Sequence, residues 1–298
     1  MQNDKLRNQL KLHFIVFIWG FTAILAALIK VDALALVWYR VLIAAFTLIV
    51  FLKVKNFIFQ ENLGDLLKFL IGGVIVALHW ATFFYAIKIS TISTTLITLS
   101  TSAFFVVMIK PLFDGKKILI YEFILAIVAV IGFVIIFKVE KLYTQGILIA
   151  LISALLVAIF SIYNSKLIRN YKAEKIAFYE LFFAFLFMTL ILIVKGSFNS
   201  AFFDLSKSDW FFIIILATIC TAYPFVTATK LLEKMSPFTI VLTNNLEPVY
   251  GIILALIIFG DKEKMSWQFY IGAAIIFSSI FLNALIKNKV FKFRIKSK

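Results

Sequence analysis

Residues 118–137 read ILIYEFILAIVAVIGFVIIF. These twenty positions hold one charged side chain, Glu122, and no proline. A helix of about 20 apolar residues crosses the roughly 30 Å of a bilayer's hydrocarbon core. In water, so much Ile, Val and Phe would favour a strand. Lipid forbids a lone strand, because a spanning segment must satisfy its own backbone N–H and C=O groups, and a helix does so alone. The stretch therefore predicts a transmembrane helix.

Runs of the same kind lie on either side, at 12–29, 34–52, 66–87, 92–113, 146–165, 176–194, 210–231, 236–259 and 266–286. The expected fold is an all-α integral membrane protein with ten transmembrane helices. Composition agrees: of 298 residues, 63% are hydrophobic and 15% charged, where a water-soluble domain is about half apolar and a quarter charged. Lys5, Arg7 and Lys11 precede the first run as they would in a signal peptide. No cleavage-like stretch follows it and nine more runs do, so the first span is expected to be retained.

The formal net charge is +15. Its placement argues against nucleic acid as a partner, because the basic residues sit in short connectors instead of on one polar face. Taken alternately, the connectors and termini hold 21 Lys and Arg on one side and 8 on the other, with Arg40 inside a span. Basic connectors stay on the cytoplasmic side. Both termini are thus expected in the cytoplasm, with the chain in the cell (inner) membrane. A single cysteine, Cys220, rules out an intrachain disulfide, and with only His13 and His79 beside it a dedicated zinc site is not expected. No Gly-x-x-x-x-Gly-Lys-Ser/Thr loop occurs, so ATP is not expected to drive this chain, and no cofactor is implied. No protease or esterase pattern appears, which argues against an enzyme.

Sliding the chain against itself by 146 positions pairs Ser90 with Ser236, Thr98 with Asn244 and Tyr121 with Trp267. That divides it into five-helix units at 12–138 and 145–287, followed by a basic tail at 288–298. Five is odd, so the second unit must enter the membrane in the opposite sense. Two inverted repeats are a construction typical of secondary transporters.

Four stretches carry a resemblance: His79–Ala86 (HWATFFYA) running into Ser90–Thr95, Leu246–Gly251 (LEPVYG), Ile258–Asp261 (IFGD) and Gly272–Ala274. Together they resemble the EamA type of the drug/metabolite transporter superfamily. That resemblance spans about residues 12–286 and implies a ten-helix carrier of small metabolites. The chain departs from the family pattern at Thr101-Ser102, where Pro is frequent, and at Asp261, where Glu is usual.

Ionisable residues inside spans default to functional hypotheses. Glu247 lies near the middle of the ninth run, on one helical face with Thr239, Thr243 and Gly251. Pro248 cannot donate to the Asn244 carbonyl, so a kink is expected there. His79 sits at similar depth beside Trp80 and can bind solute or proton; a hydrogen bond to a neighbouring helix competes with that role. The expected substrate-binding set is Glu247, Asn244, Thr243, His79, Trp80, Thr98, Thr101 and Tyr223. Arg40 could bind an anion or pair with a carboxylate, but its depth of about 10 Å favours snorkelling to the outer interface. For Glu180, proton coupling or gating competes with a structural ion pair. Gly272, Ala274 and Ser278 offer a small-residue face for packing or for a homodimer.

The function expected from all this is secondary transport of a small metabolite, outward, by alternating access. The partners would be the lipid bilayer, the small-molecule substrate and a proton or other coupling ion, with exchange as the other driving mode. The alternatives are a channel-like or lipid-handling conduit and, behind it, an intramembrane enzyme.

Overall fold

The computed structural model describes residues 2–56, 60–115, 117–139 and 141–296, and these are helical almost throughout. The first half contains α1 (Gln2–Leu28), α2 (Ala33–Val54), α3 (Leu63–Ile89), α4 (Ile92–Leu99), α5 (Ser102–Asp114) and α6 (Ile120–Val139). The second contains α7 (Thr144–Leu167), α8 (Ala173–Val194), the short α9 (Ser200–Phe203), α10 (Lys207–Ala217), α11 (Tyr223–Leu231), α12 (Pro237–Asn244), α13 (Glu247–Phe259) and α14 (Trp267–Lys296). Helices α4 and α5 together make one span, as do α10 with α11 and α12 with α13. Among the described residues nine spans are long and apolar enough to cross a membrane, and the apolar stretch Trp267–Asn283 of α14 supplies a tenth. Helix α14 continues through most of the predicted tail, while residues 297–298 lie outside the described residues. Large apolar side chains face outward, with Leu112 at 84% and Ile257 at 74% exposure. That inversion of a soluble protein's surface is what a lipid solvent demands.

Pairings between helices repeat across the two halves. Helix α1 packs on α13 and α11 as α7 packs on α5 and α3, while α2 meets α8 and α6 meets α14. Exchanging the halves leaves this pattern unchanged, as a pseudo-two-fold axis requires. At the α6–α14 crossing a Cβ on Gly132 would lie 2.5 Å from the Gly272 carbonyl oxygen, and one on Gly272 would lie 2.6 Å from that of Gly132. The absent side chains let the two backbones touch. Gly272 is thereby used inside the molecule, while Ala274 and Ser278 remain exposed.

The repeat register differs from the sequence expectation by one residue. Thr91 and Ser236 cap the starts of α4 and α12, each accepting from the N–H three residues on. Gly115 and Gly260 end α5 and α13 with positive φ, 63° and 58°. Each pair is 145 apart, not 146, so Ser102 and not Thr101 stands opposite Glu247. A one-residue slip barely alters hydropathy in long apolar runs, whereas caps and left-handed glycines fix it.

Candidate functional site

Two spans are broken near mid-depth. Helix α4 ends at Leu99 and α5 starts at Ser102; α12 ends at Asn244 and α13 starts at Glu247. Each break is a tight turn with two bonds to carbonyls three residues back: Ser100 to Ile97 and Thr101 to Thr98, then Asn245 to Leu242 and Leu246 to Thr243. Pro248 accounts for the break in the ninth span, since it cannot donate to Asn244. The fourth span breaks alike without proline. There the Thr98 and Thr101 hydroxyls donate to the Thr94 and Thr98 carbonyls, and such back-bonding bends helices. The two breaks are tied across the pseudo-axis by Asn245 Nδ2, which donates to the Ser100 carbonyl at 3.1 Å.

Around these breaks lies a cavity of about 120 Å³ lined from both halves, including Arg40, His79, Trp80, Asn244, Asn245, Glu247 and Pro248. Arg40 does not snorkel: it is 1% exposed. Its Nε donates to Thr221 Oγ1 at 2.6 Å, and its guanidinium carbon stands 4.1 Å from the Trp80 ring centre. A π-helical turn at Thr218–Ala222, just before Pro224, brings Thr221 into place. Ring stacking and partial hydrogen bonding make a buried cation tolerable here, so lipid-facing escape is unnecessary. Arg40 and Glu247 both line the cavity but form no ion pair with each other among the described residues.

His79 Nδ1 lies 3.0 Å from the Ser153 carbonyl and 2.8 Å from its hydroxyl. A proton on Nδ1 donates to that carbonyl and leaves Nε2 as the acceptor. Helix-to-helix bonding and cavity lining, set against each other above, therefore coexist in one residue. Trp80, Phe225 and Phe160 extend an aromatic wall, with neighbouring ring centres 5.8 and 5.5 Å apart.

Several buried polar atoms on this cavity have no hydrogen-bond partner among the described residues: Thr22 Oγ1, Arg40 Nη1, Ser100 Oγ, Asn164 Oδ1 and Asn244 Oδ1. Proteins rarely leave such groups unmatched, and each costs about 1–3 kcal/mol. Their gathering on one cavity from four different helices and a helix break is what a polar solute would relieve.

Other expected positions fall elsewhere. Thr98 is buried on α4 and Thr101 in the break that follows it, each bonded to a nearby carbonyl, and Thr243 donates to the Thr239 carbonyl; none of the three is among the described residues that line the cavity. Tyr223 is 48% exposed on the outer surface, edge-on to Phe14. Its hydroxyl made it look pore-lining, but the π-helical turn advances the register and aims Thr221 inward instead. Glu180 is fully buried beside the cavity residue Asn164, whose side chain it accepts from at 3.2 Å; it has no ion pair among the described residues. Asn245, Asn164 and Thr22 also line the cavity and lie outside the expected set; the Asn residues offered the one sequence signal, amides inside apolar runs.

The two ends of the molecule differ. At one, Glu263 accepts from the N–H of Ile92 and of Ser93, both at 3.0 Å, and from the Ser93 hydroxyl at 2.9 Å, clamping the start of α4. The corresponding helix start at the other end begins with Pro237, which has no N–H to clamp. There a second hollow of about 400 Å³, lined by Lys110, Asp114, Arg169 and Glu233, shares Leu232 with the central cavity.

A helical membrane bundle with interrupted half-helices meeting at a mostly apolar cavity that carries a few polar groups has the construction of a membrane transporter. The EamA-like transporter family model matches residues 10–138 and 144–285, and the chain belongs to that family, within the drug/metabolite transporter superfamily. Its members are transporters and not enzymes. One solved crystal structure is similar at a TM-score of 0.71 over 94% of this chain and 98% of its own, with 16% identity. At that identity the likeness concerns the fold alone. No curated protein matches the sequence.

Proposed function

We propose that this protein is a secondary carrier that moves a small metabolite outward by alternating access, driven by an ion gradient or by exchange. The observation that carries the proposal is the cavity at the two helix breaks, where five buried polar atoms wait without partners. Arg40, His79, Trp80, Asn244 and Glu247 are its substrate contacts, and Pro248 keeps the ninth span open at Asn244. Swinging one five-helix unit against the other would expose the cavity to each side in turn. The clamp at Glu263 and the hollow at Leu232 fit a resting state closed at one end and approachable from the other. The excess of basic residues in alternate connectors supports a cytoplasmic approachable end and cytoplasmic termini in a cell-membrane protein.

Uptake of a metabolite panel into proteoliposomes tests this. Saturable uptake, lost in Glu247→Gln, is expected. Flux that rises linearly with concentration, or scrambling of lipid with no soluble cargo, would favour a conduit instead.

A further inference from the structure

Glu180 on α8 is completely shielded, 0% exposed, in a niche that Gly72 of α3 leaves open. A Cβ on Gly72 would fall 2.7 Å from the Glu180 carboxyl carbon, and one on Gly73 would fall 2.6 Å from the Glu180 carbonyl oxygen. The two glycines thus give room for both the side chain and the backbone of this residue. Its Oε2 accepts from Asn164 Nδ2, while its Oε1 and the Asn164 Oδ1 are both buried without partners. Helix α7 also brings Tyr163, whose hydroxyl donates to the Lys68 carbonyl. Helix α3 sets Gly72 and Gly73 against Glu180, and among the described residues no cation on α2, α3, α7 or α11 pairs with it.

An ionised carboxylate held by one amide, with no cation, is a poor resident of a lipid-buried protein. A neutral acid is a better one, and the neighbouring amide can serve both forms. With Asn164 placed as observed, Nδ2–H donates to an ionised Oε2. With the amide turned over, a protonated Oε2–H donates to Oδ1, and Nδ2 turns toward the central cavity that Asn164 lines. The amide therefore has two settings, of which the turned one requires the protonated acid, and each presents a different group to the cavity.

We propose that Glu180 is the site at which this carrier takes up and gives back its coupling proton, with Asn164 linking that carboxyl to the substrate cavity. The step is a plain proton transfer: the O–H bond at Oε2 breaks, its electron pair stays on the carboxylate, and a water entering past Asn164 becomes hydronium. Reversal on the opposite side of the membrane reloads the acid. One carboxyl group and one amide oxygen, with the carboxyl already holding an amide N–H, make too sparse a set for a metal cation, which selects the proton. The coupling role rests on the carrier reading above; proton binding does not.

Infrared difference spectroscopy on the full chain in lipid tests the binding alone. A carboxylic C=O band should appear at neutral pH in wild type minus E180Q, shift in D₂O, and fade as the medium becomes alkaline. N164A should move the band by removing its hydrogen-bond partner, giving a second assignment should E180Q fail to assemble. Carboxylate bands at neutral pH, or a C=O band that never exchanges with D₂O, would overturn the proposal, the latter marking a purely structural acid. A sodium-dependent change in the band would overturn it in favour of a metal ion. Transport supplies the other arm: for any metabolite wild type accumulates, E180Q should still exchange it but reach no more than equal concentrations on the two sides. E180Q that accumulates like wild type would refute coupling and leave the carrier intact.

Discussion

Replacing Glu263 by Ala should open the clamped end. The side chain is 7% exposed and accepts three hydrogen bonds, from two backbone N–H groups and one hydroxyl. Hydrogen bonds to a charged group contribute about 1.5–3 kcal/mol each, but water that enters the opened end recovers part of that. A net loss of about 2 kcal/mol is a conservative figure, and it shifts a two-state equilibrium about 30-fold. If the conformation open at that end is populated at about 1% in wild type, it should then rise to roughly a fifth. Thr22 lines the cavity and its hydroxyl has no partner, so Thr22→Cys in a Cys220→Ser background is a suitable reporter. Labelling by a membrane-impermeant maleimide added outside intact cells should accelerate more than tenfold with Glu263→Ala, and less with Glu263→Gln, which retains one acceptor oxygen. An unchanged rate would show that Glu263 merely caps a helix. Faster labelling only in inside-out vesicles would refute the assigned orientation.

His79→Ala should abolish saturable uptake in proteoliposomes with little change in thermal unfolding, because the lost bonds to Ser153 are offset by water in the cavity. Arg40→Met should bind no anionic metabolite, whereas Arg40→Lys should bind it with a raised KM, since an ammonium loses the stacked, planar contact with Trp80; equal kinetics in the two variants would remove Arg40 from the site. Gly132→Val should destabilise the protein by about 1–3 kcal/mol through overpacking against the Gly272 carbonyl, read as a lower midpoint in detergent melting. Asn245→Ala should cost about 1 kcal/mol by cutting the tie between the two breaks, visible in the same melting assay.

The ten helices could be read from the sequence because lipid leaves the backbone few options, and a long apolar run in it has one outcome. The break at Pro248 was equally plain, since a missing N–H has a fixed consequence. The matching break at Ser100-Thr101 was not, because hydroxyl back-bonding depends on rotamers that composition does not specify. Arg40 was misplaced for a related reason: depth suggested escape to the interface, but Thr221 and Trp80, distant in sequence, provide a buried seat. Tyr223 and Thr221 exchanged roles through a single π-helical turn. Hydropathy therefore found the spans, but the faces turned inward depended on side-chain hydrogen bonds and one-residue shifts in winding.

Among the described residues, helices α6 and α14 contribute nothing to the lining of the cavity, yet they meet glycine against glycine across the pseudo-axis. Contact of like with like is the mark of an isologous seam between identical partners. Such a seam needs no covalent link, so a chain cut within the connector at 140–143 should reassemble when its two pieces are co-expressed. The same geometry describes how two separate five-helix polypeptides, inserted in opposite senses, could have joined before a fusion made them one.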